Sequence, residues 1–217
     1  MLIEFTVKIF RSLRDENQMS FVAASSDKEN LASHAADTQN KSIPHILKSA
    51  VIYGPNASGK TNLIRAIEFM RWVVAESVRL QPGIKFPLQP FKLDSAKTNE
   101  PTEFEITFLV DGIRYQYGFE LTADRILEEW LLVYTKQKPQ TWFSRKYNPD
   151  SKIDEYEFSS YLKGQRKIWQ EATRPNALFL SIAVQLNSDQ LIPIFNWIVN
   201  DIVILKGGHN PIPDYSL

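Results

Sequence analysis

The 217-residue chain contains no cysteine. Disulfides, thiolate nucleophiles and Cys-based zinc sites are therefore excluded, and the absence fits a reducing compartment. Net charge is missing too, because Lys+Arg and Asp+Glu are both 25, so the chain as a whole has no electrostatic footprint for nucleic acid or membrane. Only a local patch would serve that purpose. No apolar run approaches the ~20 residues that span a bilayer, and Glu4 and Lys8 interrupt the N-terminal stretch where a signal peptide would carry its core. The expectation is a cytoplasmic protein without membrane contact. Histidine is scarce, and His34 and His45 have no carboxylate or Cys partner at ligand spacing, so neither is assigned a metal. What the chain does have, 43% hydrophobic and 12% aromatic residues, suffices for a substantial core in one domain or one large lobe.

One stretch organises the rest. Gly54, four residues (Pro55, Asn56, Ala57, Ser58), then Gly59-Lys60-Thr61 is the Walker A spacing, set between the apolar residues 50–53 and a periodic helical segment. That context predicts strand, phosphate-binding loop and helix. Loop N–H groups and the helix N-terminus would face the phosphates of ATP, and Lys60 would add a full charge on the β- and γ-phosphates. The Thr61 hydroxyl would hold Mg²⁺, with Asn62 beside it. Gly54 and Gly59 admit torsions and a close phosphate approach that a Cβ would obstruct. The bland alternative is a Gly-rich turn ahead of a helix.

From the N-terminus, residues 2–10 alternate as a strand, 11–17 form a polar turn and 18–23 return antiparallel. Residues 25–42 read as a loop or short irregular helix. Leu63, Ile67, Met70, Val74 and Val78 recur at steps of four and three, giving a long helix that Gln81-Pro82-Gly83 stops. Asp111-Gly112 fits a two-residue type I′ turn that pairs Val110 with Ile113, Phe108 with Tyr115, Ile106 with Tyr117 and Phe104 with Phe119. Residues 125–135 and 141–146 would extend this hairpin into a meander. Asp111 ends a hydrophobic run as a Walker B acid does, but the turn accounts for it and no Glu follows. Asp201 precedes its apolar run and is no better. Lys163, Arg166, Lys167 and Arg174 read as a solvated helix face, with a nucleic-acid backbone as the alternative. Residues 178–184 suit a buried strand or a short helix.

Phe10-Arg11-Ser12-Leu13, the GPNASGKTNLIRAI stretch at 54–67 and the segment from Ala177 to Asn187 together resemble the N-terminal half of an ABC-type AAA ATPase head. The similar branch is the SMC, RecF and OLD-like group, especially the bacterial OLD-like ATPases of phage defence and abortive infection. The resemblance implies a P-loop NTPase of the α/β class, α+β in part, with an opening β-hairpin and an antiparallel β-meander beside the P-loop sheet. It divides the chain into 1–80 with the loop and its helix, 81–150 with the meander, and 151–217 as the start of a helical lobe. It also implies that Arg11 and Ser12 lie near the nucleotide, and that Gln185, in preference to Gln89, senses Mg²⁺ and the attacking water as a catalytic residue beside Lys60. Two such heads sandwich ATP in a homodimer, and an effector nuclease is the implied partner. A RecF- or SMC-like DNA clamp and a non-catalytic nucleotide-binding module remain alternatives. The signature motif, Walker B acids and switch histidine of the family are not recognisable; Leu162-Lys163-Gly164-Gln165 lacks the signature Ser. The chain therefore reads as truncated, able to bind ATP and to hydrolyse it only when completed.

Overall fold

The computed structural model describes residues 1–24, 31–40, 42–56, 58–91, 100–135 and 138–205. Alternation in the first ten residues gives β1 (Leu2–Lys8), which pairs antiparallel with β2 (Asn17–Ser20). Phe5 and Val7 point into the core; Glu4 and Thr6 do not. After the helical turn α1 (Leu31–His34), β3 (Ala35–Asp37) and β4 (His45–Leu47) make a separate small hairpin. Its Ile46, with Ile43, packs in a satellite cluster with Ile3 and Leu109, at the point where a bulge between Leu2 and Glu4 shifts the register of β1.

The P-loop helix is α2 (Lys60–Glu76), extended by a 3-10 turn over Ser77–Arg79. It buries Ala66, Ile67, Met70, Val73 and Val74 in one cluster with Phe104, Ile106 and Phe108 of the sheet; Ile67, Met70 and Val74 belong to the stripe read from the sequence, whose Leu63 and Val78 are half-buried. Burial of each large side chain contributes about 2 kcal/mol, so α2 is fixed by its packing.

The meander consists of β5 (Thr102–Val110), β6 (Ile113–Leu121), β7 (Ile126–Tyr134), β8 (Gln140–Asn148) and β9 (Ile153–Phe158). All four apolar pairs expected across the Asp111-Gly112 turn are in register. Asp111 and Gly112 have φ of 50° and 76°, as a type I′ turn requires. The strand β9 was not expected, because Glu155 and Glu157 make it polar; it is a sheet edge, where charged side chains deter further pairing. The sheet order is β2-β1-β5-β6-β7-β8-β9, so the opening hairpin and the meander are one antiparallel sheet.

One local expectation is corrected and one pair of alternatives is decided. Residues 50–53, expected as the strand that leads into the loop, form none, and Val51 and Tyr53 are 68% and 87% exposed. A P-loop strand of this kind takes hydrogen bonds from parallel neighbours on both sides, and no described strand pairs with it. Residues 178–184, for which a strand was one option, belong to helix α4 (Phe179–Gln185). It follows α3 (Arg166–Ala172) and precedes α5 (Ile192–Asn196), which carries Pro193 in its first turn and runs into a π-helical turn at Trp197–Asp201.

Register also aligns Lys8, Glu103, Glu120 and Glu128 on successive strands, with Lys146 beyond them. Burial raises the pKa of Glu103 and of Glu120, and the facing glutamates raise both further: Glu120 acts on Glu103, and Glu128 on Glu120. A carboxyl raised in the folded state binds protons more tightly there than in the unfolded chain, so stability falls as pH rises through its folded pKa. Glu120→Gln is expected to stabilise the protein at neutral pH by about 0.5 kcal/mol, a value kept small by solvent screening. It should also flatten the gain in stability on acidification from neutrality towards the carboxylate range. Chemical denaturation across that range checks both; an unchanged or steeper profile counts against the ladder.

Candidate functional site

The loop meets α2 at Gly59, whose φ of 93° a side-chain residue rarely adopts. A Cβ there would lie 3.2 Å from Leu13 Cδ2 and 3.4 Å from Ser12 Oγ. The turn after β1 is thus packed on the base of the phosphate-binding loop. Lys60 Nζ donates to the carbonyls of Gly54 at 2.6 Å and Pro55 at 2.7 Å, and to Ser58 Oγ at 3.3 Å. Its ammonium therefore ties together the first residues of the loop and Ser58. The Asn62 and Leu63 amides both donate to the Gly59 carbonyl, starting the helix. Thr61, one residue into the first turn, is exposed.

The turn at residues 10–13 is closed by reciprocal bonds, Phe10 N–H to the Leu13 carbonyl at 2.9 Å and Leu13 N–H to the Phe10 carbonyl at 2.8 Å. Arg11 sits in it with a left-handed φ of 54° and donates its N–H to the Gln89 carbonyl at 2.8 Å. Left-handed backbone at a residue with a side chain is strained and concentrates at functional sites. Asn62 Nδ2 donates to Ser12 Oγ at 2.6 Å, and Arg65 donates to Asn62 Oδ1 at 3.5 Å. Burial, then the neighbouring Arg65, holds the Arg11 guanidinium below its usual pKa, with Glu68 opposing. Arg11, Arg65, Glu68 and Gln89 line a cavity of about 480 Å³ with Phe69 and Trp72 as its aromatic side. A second cavity, of about 730 Å³, brings Lys60 and Thr61 together with the apolar Val51, Ile52, Ile64 and Leu205.

The structure thus gathers Gly54, Pro55, Asn56, Ser58, Gly59, Lys60, Thr61 and Asn62 into one loop and helix start, and brings Arg11 and Ser12 onto it. Ala57 lies outside the described residues. Gln185 is an exposed residue at the end of α4 and lines neither cavity, whereas Gln89 lines the first. Sequence reasoning missed Arg65 and Glu68. Their signal was the polar series Thr61, Arg65, Glu68, at steps of four and three along an amphipathic helix.

Among the described residues no three His, Cys, Asp or Glu side chains are grouped to hold a metal ion. The Thr61 hydroxyl assigned to Mg²⁺ does not make a metal centre without phosphate oxygens and a carboxylate. No described helix is long and apolar enough to cross a membrane.

No curated protein matches the chain. A family model described as "AAA domain, putative AbiEii toxin, Type IV TA system" matches residues 49–194, well over half of the sequence. That span contains the loop, α2, the meander and α4, while Arg11 and Ser12 precede it. The chain belongs to this AAA-domain family of P-loop ATPases, and its function is of the ATPase, nucleotide-binding type.

Proposed function

We propose that the chain is the ATP-binding part of an OLD-like ATPase head, whose ATP-dependent pairing with a second head gates an effector, a nuclease, in defence against phage. The observation that carries the binding is the loop itself: Gly59, Lys60 and Thr61 open a 17-residue helix, whose N-terminal dipole favours a triphosphate there. Mg²⁺ would reach the chain with the triphosphate and rest on Thr61. There it would neutralise charge on the phosphates when bound.

Hydrolysis is assigned to the completed head only. Positioning and electrostatics supply nearly all of phosphoryl-transfer catalysis, and among the described residues the carboxylate that shares a cavity with Thr61 is Glu68, which belongs to no metal-holding cluster. The apolar residues around Thr61 favour completion by a further segment, since Val51, Ile52 and Leu205 are 68%, 40% and 79% exposed although their residue types suit a buried strand. The toxin named in the family description supports a defence role. The DNA-clamp reading has less support, because two of the four clustered cations are engaged within the fold: Arg166 donates to the Ser159 carbonyl and Arg174 to those of Val78 and Leu80.

The test is calorimetry and phosphate release, on the 217-residue chain beside a version extended beyond Leu217. Binding by both and turnover by the longer alone is the expected result. Turnover by the short chain at the rates of ordinary ATPases would overturn the assignment.

A further inference from the structure

Ser12 and Asn62 are expected beside the nucleotide. Their side chains bond each other at 2.6 Å across 50 residues of sequence, and Asn62 Oδ1 accepts from Arg65. We propose that this hydrogen bond is a latch, and that Ser12 and Asn62 act on ligand binding as positioning residues for Arg11. The inference rests on the reading that the loop takes a triphosphate with Arg11 beside it.

Arg11 is the residue that needs such support. It occupies a left-handed backbone position, it lies in a turn spanning only residues 10–13, and its Nε is buried without a hydrogen-bond partner. Left-handed backbone persists where surrounding structure over-determines it. Three contacts do so here. The Arg11 amide is fixed to Gln89, Leu13 packs on Gly59, and Ser12 is tied to the third residue of α2. The first fixes Arg11 itself to the segment after α2 and the second seats the end of the turn on the loop, whereas the Ser12–Asn62 bond joins the turn to the helix that carries Lys60. One side-chain hydrogen bond between uncharged groups therefore ties the Arg11 turn to the helix that carries Lys60, beside the packing of Leu13 on Gly59. Asn62 is suited to the role, because its amide donates to Ser12 while its carbonyl accepts from Arg65.

The test measures ATP–Mg²⁺ affinity by calorimetry for wild type, Ser12→Ala, Asn62→Ala, the double variant, and each single change in an Arg11→Ala background. Amide hydrogen exchange of Arg11 and Leu13 is followed in the same proteins. Each single change is expected to weaken binding about fivefold, the worth of one such bond. The double variant should bind no worse than the weaker single, and neither change should matter once Arg11 is alanine. Exchange at Arg11 and Leu13 should quicken in both variants while that of Met70, in the middle of α2, stays as it was. Losses that add, or that persist without Arg11, mean direct contacts with the nucleotide and overturn the latch. Unchanged affinity or unchanged exchange overturns it equally. Wild-type protein that binds no ATP sinks the nucleotide reading itself and this role with it, a failure distinct from intact binding that ignores all the variants.

Discussion

Lys60→Ala is expected to lower ATP affinity about 100-fold, or about 2.7 kcal/mol. Two effects combine. The change deletes the one full positive charge that the loop itself carries, and charge-assisted contacts to phosphate are about twice as strong as neutral ones. It also deletes the bonds from Nζ to the Gly54 and Pro55 carbonyls and to Ser58 Oγ, so Gly54, Pro55 and Ser58 keep only the Ser58 N–H to Pro55 carbonyl bond and need more ordering by the ligand. The second effect separates this lysine from a generic surface cation. Titration calorimetry gives the affinity directly. Thermal unfolding gives it by linkage, because a ligand that binds only the folded state raises the midpoint with its concentration. Wild type should show that rise with ATP and the variant should lose it, while the two unfold alike without nucleotide, since the bonds from Lys60 Nζ all lie in the exposed loop. Equal ATP-dependent stabilisation of both proteins would remove the loop from the binding site.

Much of this arrangement was legible in the sequence, for reasons that are local. The Asp111-Gly112 turn dictates its own backbone and thereby the register of nine residues on either side. The spacing of Gly59, Lys60 and Thr61 before an apolar stripe announced α2. What was not legible depends on distant partners. Residues 50–53 have the composition of a central strand, but a strand exists only with neighbours to bond, and none is described. Strand β9 hid because an edge strand has no need of apolar alternation on its outer side. Residues 178–184 carry Leu, Phe and Ile types that suit either strand or helix. The helix is selected by Glu129, whose carboxylate accepts the Phe179 and Leu180 N–H groups from 50 residues away. Arg174 looked like one of four solvated cations, yet its guanidinium caps the carbonyls of Val78 and Leu80 where α2 ends.

Arg145→Met is expected to destabilise the fold by about 4 kcal/mol, which for a domain of this size lowers the thermal midpoint by about 10 °C. The side chains of Arg145 and Glu129 are both fully buried, 3.9 Å apart. Arg145 donates to the Ala177 carbonyl at 2.7 Å, to Asp154 at 2.9 Å and to the Arg174 carbonyl at 3.2 Å. Glu129 accepts from Phe179 at 2.7 Å, Leu180 at 3.0 Å and the Tyr117 hydroxyl at 3.0 Å. Burial pushes the Glu129 carboxyl above its ordinary range, against the pull of Arg145 first and then of those donors. Removing Arg145 leaves that carboxylate without its nearest cation and takes the Arg145 donor from the Ala177 carbonyl, while the Arg174 carbonyl keeps the Ala177 N–H; an uncompensated buried charge is the costly case. Asp154 suffers less, because it keeps the guanidinium of Arg125. Glu129→Gln should also be costly: three donors converge on the carboxylate, and an amide must turn its own NH₂ towards one of them. The double variant Glu129→Gln/Arg145→Met is expected to lose less than the two single losses added, since each change removes what the other leaves stranded. Denaturant midpoints of the four proteins give that coupling. The segment the pair holds also carries Ser181, which donates to the Val74 carbonyl, and Asn176, which donates to those of Gln81 and Ile84. A coupling near zero would mean that α4 and the far end of α2 are held by apolar packing alone, with the buried ions as bystanders.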